Sequence, residues 1–224
     1  MTSTRTSERR ASTRHAGLER HEIIDAALAI VTAEGGAALT MRRLAADLGV
    51  TTTTIYWHVG NREQLVVAIV ERFAEEQSAI PVIGRTPRRR VLHAAMNLWR
   101  SARGHRNLTA LASAAGATTL LELPLEAALA AELGAAGVHG ERARDVVQAV
   151  LACIAGFLIS EWRPAEQRPE ALRPSELWSR VDDPRIDPST LRALATAADH
   201  ERLVESTLRA IIVAAVPETH RGTP

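Results

Sequence analysis

The chain has a single cysteine, no lysine and few aromatic residues. Aromatic residues make up 3% of its 224 residues, which disfavours sheet, while the abundance of alanine and leucine favours helices. Because Cys153 stands alone, an internal disulfide and a cysteine-rich zinc site are excluded. The net charge is only +1, so any basic surface for a polyanion has to be local. We therefore expect an all-α fold and exclude an all-β fold.

Nothing in the sequence predicts export or a membrane span. Residues 1–20 contain five arginines but no apolar run of the kind a secretory signal needs. The longest apolar stretch, residues 146–159, is shorter than the roughly 20 residues that cross a bilayer. We therefore expect a cytoplasmic protein with no membrane partner, and a disordered, arginine-rich arm over residues 1–17.

Apolar spacing and turn residues predict short helices over residues 18–77. A first amphipathic helix begins near Leu18 and stops at the two glycines 35 and 36. Thr40 has the position of an N-cap for a second helix, which Gly49 ends. A third helix follows over residues 51–59, and Asn61 with Gln64 forms a capping-box pair for a fourth.

Proline and glycine at residues 81, 84 and 87 mark a boundary, after which we expect a second domain over residues 78–224. Its periodic segments are 88–104, 107–115, 125–136, 141–162 and 200–216, all helical by pattern. Between the last two lies a proline-rich stretch, expected to be a loop with short helices around Leu177 and Leu191.

Two short helices joined by a glycine turn, braced by a preceding amphipathic helix, are typical of a helix-turn-helix. In that motif the second helix enters the major groove of DNA and its N-terminal side chains reach base edges and phosphates. Residues 51–54 are all threonine, which is a poor helix former. Threonine hydroxyls and methyls suit base edges, so this surface favours contact with DNA.

The segment LTMRRLAADLGVTTTTIYWHVGNREQL, residues 39–65, resembles the tetracycline-repressor (TetR) family of transcription factors, most specifically around IYWHV. The resemblance is specific over residues 18–77 and extends to the helix layout beyond. It departs from the family pattern at Thr52, Thr53 and Gly60, so no base preference is carried over. The resemblance, with the N-terminal threonines, implies a DNA-binding set of Thr40, Arg42, Thr51, Thr52, Thr53, Thr54, Tyr56, Trp57, His58 and Arg62.

Several of these residues have a second interpretation. Thr40 and Thr51 suit N-caps better than base contacts. Tyr56 and Trp57 could pack within the domain instead of meeting DNA. Arg42 is favoured for a bidentate contact to guanine, although Arg43 could take that role. Arg62 is assigned a phosphate by the resemblance.

The resemblance also implies a ligand pocket and a dimer interface in the second domain. The segments 141–162 and 200–216 carry apolar stripes that two copies could join in a four-helix interface, although a monomeric core is the alternative. The helix 107–115 has no histidine, which argues against a magnesium–tetracycline ligand. Polar groups on apolar helices, with one aromatic residue, are the ligand-binding candidates: His93, Asn97, Arg100, His105, Arg106, Asn107, Cys153 and Phe157.

The sequence contains no phosphate-binding glycine loop, nucleophile elbow, HxxxH or CxxC pattern. We therefore expect neither an enzyme nor a cofactor or metal site. The expected function is that of a ligand-responsive transcriptional regulator, a homodimeric repressor released from a palindromic DNA operator by a small hydrophobic or amphipathic effector. The alternatives are a DNA-binding protein without an inducer, and an activator.

Overall fold

The computed structural model describes residues 18–162, 174–196 and 198–217. Over these ranges it contains helices and no strand, which confirms the predicted all-α fold. The arginine-rich arm 1–17 and part of the proline-rich stretch lie outside the described residues. The helices are α1 (Arg20–Glu34), α2 (Met41–Leu48), α3 (Thr52–Val59), α4 (Arg62–Ser78), α5 (Pro87–Gly104), α6 (Arg106–Ala114), α7 (Thr118–Ala135), α8 (Gly140–Trp162), α9 (Pro174–Trp178), α10 (Pro188–Leu194) and α11 (His200–Ala215).

Local signals fix the turn between α2 and α3. Gly49 follows α2 with φ 68° and ψ 31°, a left-handed conformation that favours glycine, and its N–H returns to the carbonyls of Ala45 and Ala46. At the next turn the Asn61 side chain accepts from the Gln64 N–H while the Gln64 side chain accepts from the Asn61 N–H. This reciprocal pair is the predicted capping box at the start of α4.

The first hydrophobic core lies beneath α1, α2, α3 and α4, and Ile23, Leu44, Ile55 and Leu65 are fully buried in it. Arg72 on α4 donates to Asp25 on α1 at 3.0 Å, on the rim of this core. The same core also contains residues from beyond the predicted boundary at residue 78: Leu108, Leu111, Ala112, Ala117 and Leu121. The helix-turn-helix therefore shares its core with α6 and the start of α7.

The second hydrophobic core lies among α5, α7, α8 and α11. Trp99, Leu129, Val150 and Leu208 are buried there, one from each of these helices. An ion pair between Arg90 and Glu132 joins α5 to α7 at its edge.

Helix α7 begins at Thr118, seven residues before the predicted segment, and carries Pro124 within it. Leu121 and Leu125 are both buried and lie four residues apart, on the same face of the helix. Burial of the residues on either side of Pro124 therefore keeps the segments before and after it in one helix, although an internal proline usually kinks or breaks a helix.

Helix α8 is long and apolar enough, by length and composition, to cross a membrane. It nevertheless packs against α5, α7 and α11, and Val146, Val150, Ile154 and Leu158 face the second core. Its opposite face is exposed, with Ile159 61% accessible. An exposed apolar face of this length indicates a binding surface.

Candidate DNA-binding surface and ligand cavity

The threonines at the start of α3 divide into different roles. Thr51 is the N-cap, and its hydroxyl accepts from the Thr54 N–H at 3.2 Å and lies 3.0 Å from the Thr54 hydroxyl. Thr52 and Thr54 are partly buried, whereas Thr53 is exposed. Thr40 caps α2 in the same way, accepting from the Arg43 N–H at 3.1 Å. The N-cap interpretation of Thr40 and Thr51 is confirmed, and contact of these threonines with DNA stays a prediction.

The aromatic side chains of α3 point away from the first core. Trp57 is 82% and Tyr56 51% exposed, while Ile55 and Val59 on the same helix are buried. The Trp57 and His58 rings meet edge to face with centroids 4.9 Å apart. The alternative that Trp57 is a hydrophobic brace within the domain is wrong, whereas Tyr56 is half exposed and its role stays a prediction. A large exposed apolar surface on α3 suits an interface with DNA, which stays a prediction.

The arginines near this surface differ in their partners. Arg43 donates to both carboxylate oxygens of Glu34, at 2.5 and 2.7 Å, and lies 3.5 Å from Asp47. This bidentate bond holds the pKa of Glu34 below its ordinary value and raises that of Arg43. Arg42 is exposed and makes no hydrogen bond or ion pair to any residue that the structure describes. Of the two candidates for a base contact, Arg42 is therefore the one whose guanidinium is available.

Arg62 has a structural role that the sequence did not predict. Its guanidinium donates to the carbonyl of Gly36 at 3.1 Å and to that of Leu39 at 3.5 Å. These bonds tie the start of α4 to the turn between α1 and α2. These bonds use Nε and Nη2 and leave Nη1 without a partner among the described residues. The phosphate contact assigned to Arg62 stays a prediction.

A cavity of about 440 Å³ lies between the two cores. Helices α4, α5, α6, α7 and α8 all contribute to its wall, most of which is apolar. Its residues are Phe73, Leu98, Ser101, Ala102, Thr109, Thr118, Leu121, Glu122, Leu125, Gln148, Leu151, Ala152, Ile154, Ala155, Leu158, Ile159 and Trp162. A largely apolar cavity of this size with a few polar groups is typical of a small-molecule site.

None of the ligand-binding residues predicted from the sequence lies in the wall of this cavity, and their role in binding stays a prediction. Those on α5 make other contacts. His93 accepts from the Ile83 N–H at 3.4 Å, and Arg100 pairs with Glu201 at 3.6 Å. Asn97 is buried, 7% exposed, and its Nδ2 finds no partner among the described residues.

The remaining candidates also serve the fold. The His105 ring lies against Phe73 with centroids 4.5 Å apart, and Asn107 Nδ2 donates to the Thr32 carbonyl at 3.1 Å. Arg106 lies over the ring of Trp162 at 5.7 Å. Cys153 and Phe157 pack against the second core, and burial raises the pKa of the Cys153 thiol.

The predicted residues are mostly polar side chains on apolar helices, and the sequence does not show which face of each helix lines the cavity. The prediction missed Glu122 and Gln148, which do line the cavity. Burial raises the pKa of Glu122, and the negative charge of Glu126 one turn later raises it further. A usable signal was present, because Glu122 is a carboxylate within the leucine-rich run TLLELPL.

Residues 23–69 match the family model described as "Bacterial regulatory proteins, tetR family". Tetracycline repressor protein class D of Escherichia coli is 40% identical over 73 residues, which are 32% of this chain and 34% of that protein. The sequence match thus spans about a third of the repressor's length.

Two solved structures of ActR from Streptomyces coelicolor share the fold over nearly the whole chain. Apo ActR gives a TM-score of 0.67 at 23% identity, covering 88% of this chain and 94% of that one. ActR in complex with actinorhodin gives a TM-score of 0.64 at 24% identity, with 89% and 97% covered.

The capped α2, the Gly49 turn and the exposed face of α3 form a helix-turn-helix, the motif that places its second helix in the major groove of DNA. The match over residues 23–69 lies on this motif. Over this segment the chain matches the TetR family of bacterial regulatory proteins, in agreement with the resemblance found in the sequence. The relatives it matches are regulators by name, in agreement with the prediction of a regulator.

Proposed function

We propose that the protein is a ligand-responsive transcriptional repressor that acts in the cytoplasm as a homodimer on a palindromic DNA operator. A small hydrophobic or amphipathic molecule in the cavity releases it from DNA. One observation carries this proposal: Phe73 and Leu121 belong to the core of the helix-turn-helix and also line the cavity. A molecule that displaces either side chain alters the packing beneath α1 and α4.

Helix α4 provides the connection to DNA. It begins at Arg62, which is bonded to the turn before α2, and it reaches the cavity at Phe73. Eleven residues at 1.5 Å per residue separate the two points by about 16 Å. A tilt of α4 in each subunit changes the spacing of two α3 helices in a dimer, which then fit two major grooves less well. The ligand acts through its different affinity for the two arrangements.

The dimer is supported by the exposed faces of two neighbouring helices. Helices α8 and α11 pack against each other, and both leave apolar or small residues accessible on their outer faces. These residues are Ala149, Ala152, Gly156 and Ile159 on α8, with Leu203 and Val213 on α11. Ala152 and Ile159 also line the cavity, which therefore reaches the edge of this face. A second copy, related by a two-fold axis, would cover the exposed face of α8.

The proposal is tested on the full chain with a duplex selected from a random DNA pool. We expect two subunits per duplex and two footprinted half-sites about 10 base pairs, or a multiple, apart. Molecules that raise the melting temperature are then added, and we expect an inducer to weaken DNA binding about 5-fold to 150-fold. The duplex must weaken the inducer by the same factor, since coupling is reciprocal.

A cavity-filling variant provides the matched control. In Ala102→Phe the new ring occupies space in the cavity wall, on α5, which lies outside the helix-turn-helix. The variant should bind the duplex as the wild type does, but no longer respond to the inducer. One bound subunit on a single asymmetric site, or induction that survives in Ala102→Phe, contradicts the proposal.

A further inference from the structure

The wall of the cavity carries a single ionisable side chain. Its polar residues are Ser101, Thr109, Thr118 and Gln148, which are neutral, and Glu122, which can carry a negative charge. No arginine or histidine of the described residues lies in the wall. The charge that the protein offers a bound molecule is therefore negative.

Glu122 has no counter-charge among the residues that the structure describes. It is partly buried, accepts no hydrogen bond there and forms no ion pair. Its neighbour one turn along α7 is Glu126, another carboxylate at the i+4 position, and like charges at this spacing repel. Desolvation raises the pKa of both groups, so burial disfavours their charged forms.

Two arginines that neighbour residues of the cavity wall have other partners. Arg103 donates to Glu161 at 2.8 Å, and Arg106 donates to the Trp162 carbonyl at 3.4 Å. A carboxylate in an apolar cavity is costly unless it is paired, and here a ligand is the available source of the pairing charge.

We propose that the effector is an apolar molecule with a positively charged amine group, and that Glu122 is the residue that binds this group. The inference rests on the proposed function, since it assigns a chemical class to the molecule that the cavity takes. Glu122 selects amines over neutral or anionic molecules of the same shape. The apolar part of the effector packs against the leucines and isoleucines of α7 and α8.

Three probes that share a naphthalene ring test this selection on the full chain: 1-naphthylmethylamine, 1-naphthylmethanol and 1-naphthoate. Near neutral pH the first is a cation, the second is neutral and the third is an anion. Binding is measured by calorimetry. Because charge-assisted pairs that are partly desolvated are strong, we expect the amine to bind about tenfold or more tightly than the alcohol, and the carboxylate to bind most weakly.

The variants are Glu122→Gln, which removes the charge in the wall, and Glu126→Gln, which removes the same charge one turn away from it. Glu122→Gln should erase the preference for the amine while the alcohol binds as before. Glu126→Gln should keep most of the preference. Both variants should melt at or above the wild-type temperature, because burial penalises the carboxylates that they remove.

The possible failures are distinguishable. If the wild type binds the three probes equally, or if Glu122→Gln keeps the preference for the amine, the inference about the effector's charge is overturned while the cavity stays a ligand site. If none of the probes binds and none protects the chain from thermal unfolding, the cavity does not take apolar molecules, and the proposed function fails together with the inference.

Discussion

Two threonines of the same helix should respond oppositely to the same substitution. Thr51→Ala removes the hydroxyl that caps α3, and with it the 3.2 Å bond from the Thr54 N–H. Loss of a threonine N-cap costs about 1 kcal/mol of folding free energy. For a chain of this size that loss lowers the melting temperature by about 2–4 °C.

Thr53→Ala is the matched change, two residues along the chain. Thr53 is exposed, and its side chain makes no hydrogen bond to the described residues. Alanine is also the better helix former, by up to about 0.7 kcal/mol. The melting temperature should therefore stay constant or rise. If Thr53 faces a base edge, as the sequence predicts, Thr53→Ala should instead weaken binding to the selected duplex.

The assay combines thermal unfolding, followed by circular dichroism, with DNA binding, followed by fluorescence anisotropy at a temperature where both variants are folded. Stability should fall only in Thr51→Ala, and the loss of affinity should be larger in Thr53→Ala. An equal drop in melting temperature for the two variants would refute the division of the threonines into a cap and a DNA-facing residue.

Two further predictions concern charged residues near the same surface. Glu34→Gln removes the ion pair with Arg43 and should lower the melting temperature at neutral pH. Because the folded-state pKa of Glu34 lies below its ordinary value, the stabilisation is lost as pH falls through that pKa, and the melting temperatures of wild type and variant should converge in acid. A difference that stays constant with pH would contradict the pairing. Arg42→Ala should cost about 1–3 kcal/mol of binding to the selected duplex with an unchanged melting temperature, whereas Arg62→Ala should lower the melting temperature as well. If the two variants have the same melting temperature, Arg62 does not brace the turn before α2.

The helix-turn-helix was predictable because its signals are local. A cap such as Thr40 bonds an N–H three residues away, and Gly49 ends its own helix. These interactions can be recognised in a short window of sequence. The roles of Arg43 and Arg62 were not predictable, since their partners lie 9 and 26 residues away along the chain.

The cavity was beyond sequence reasoning for a related reason. Glu122 and Gln148 meet in one wall only because α7 and α8 pack with particular faces toward each other. Apolar periodicity predicts that a helix has a buried face, but not which neighbour covers it. His93 and Asn107 were plausible by composition and turned out to form hydrogen bonds that serve the fold.

Because α6 contributes to the first core, the helix-turn-helix cannot be transferred to another protein by itself. Gly36, in the turn after α1, lies so near Leu111 of α6 that a side chain there would come within 2.8 Å of it. A chimera that joins residues 18–77 to the effector domain of another regulator leaves the apolar surface that Leu108 and Leu111 cover without its partner. A transplanted DNA-reading module should therefore carry α6 with it, or receive a host helix whose leucines match that surface.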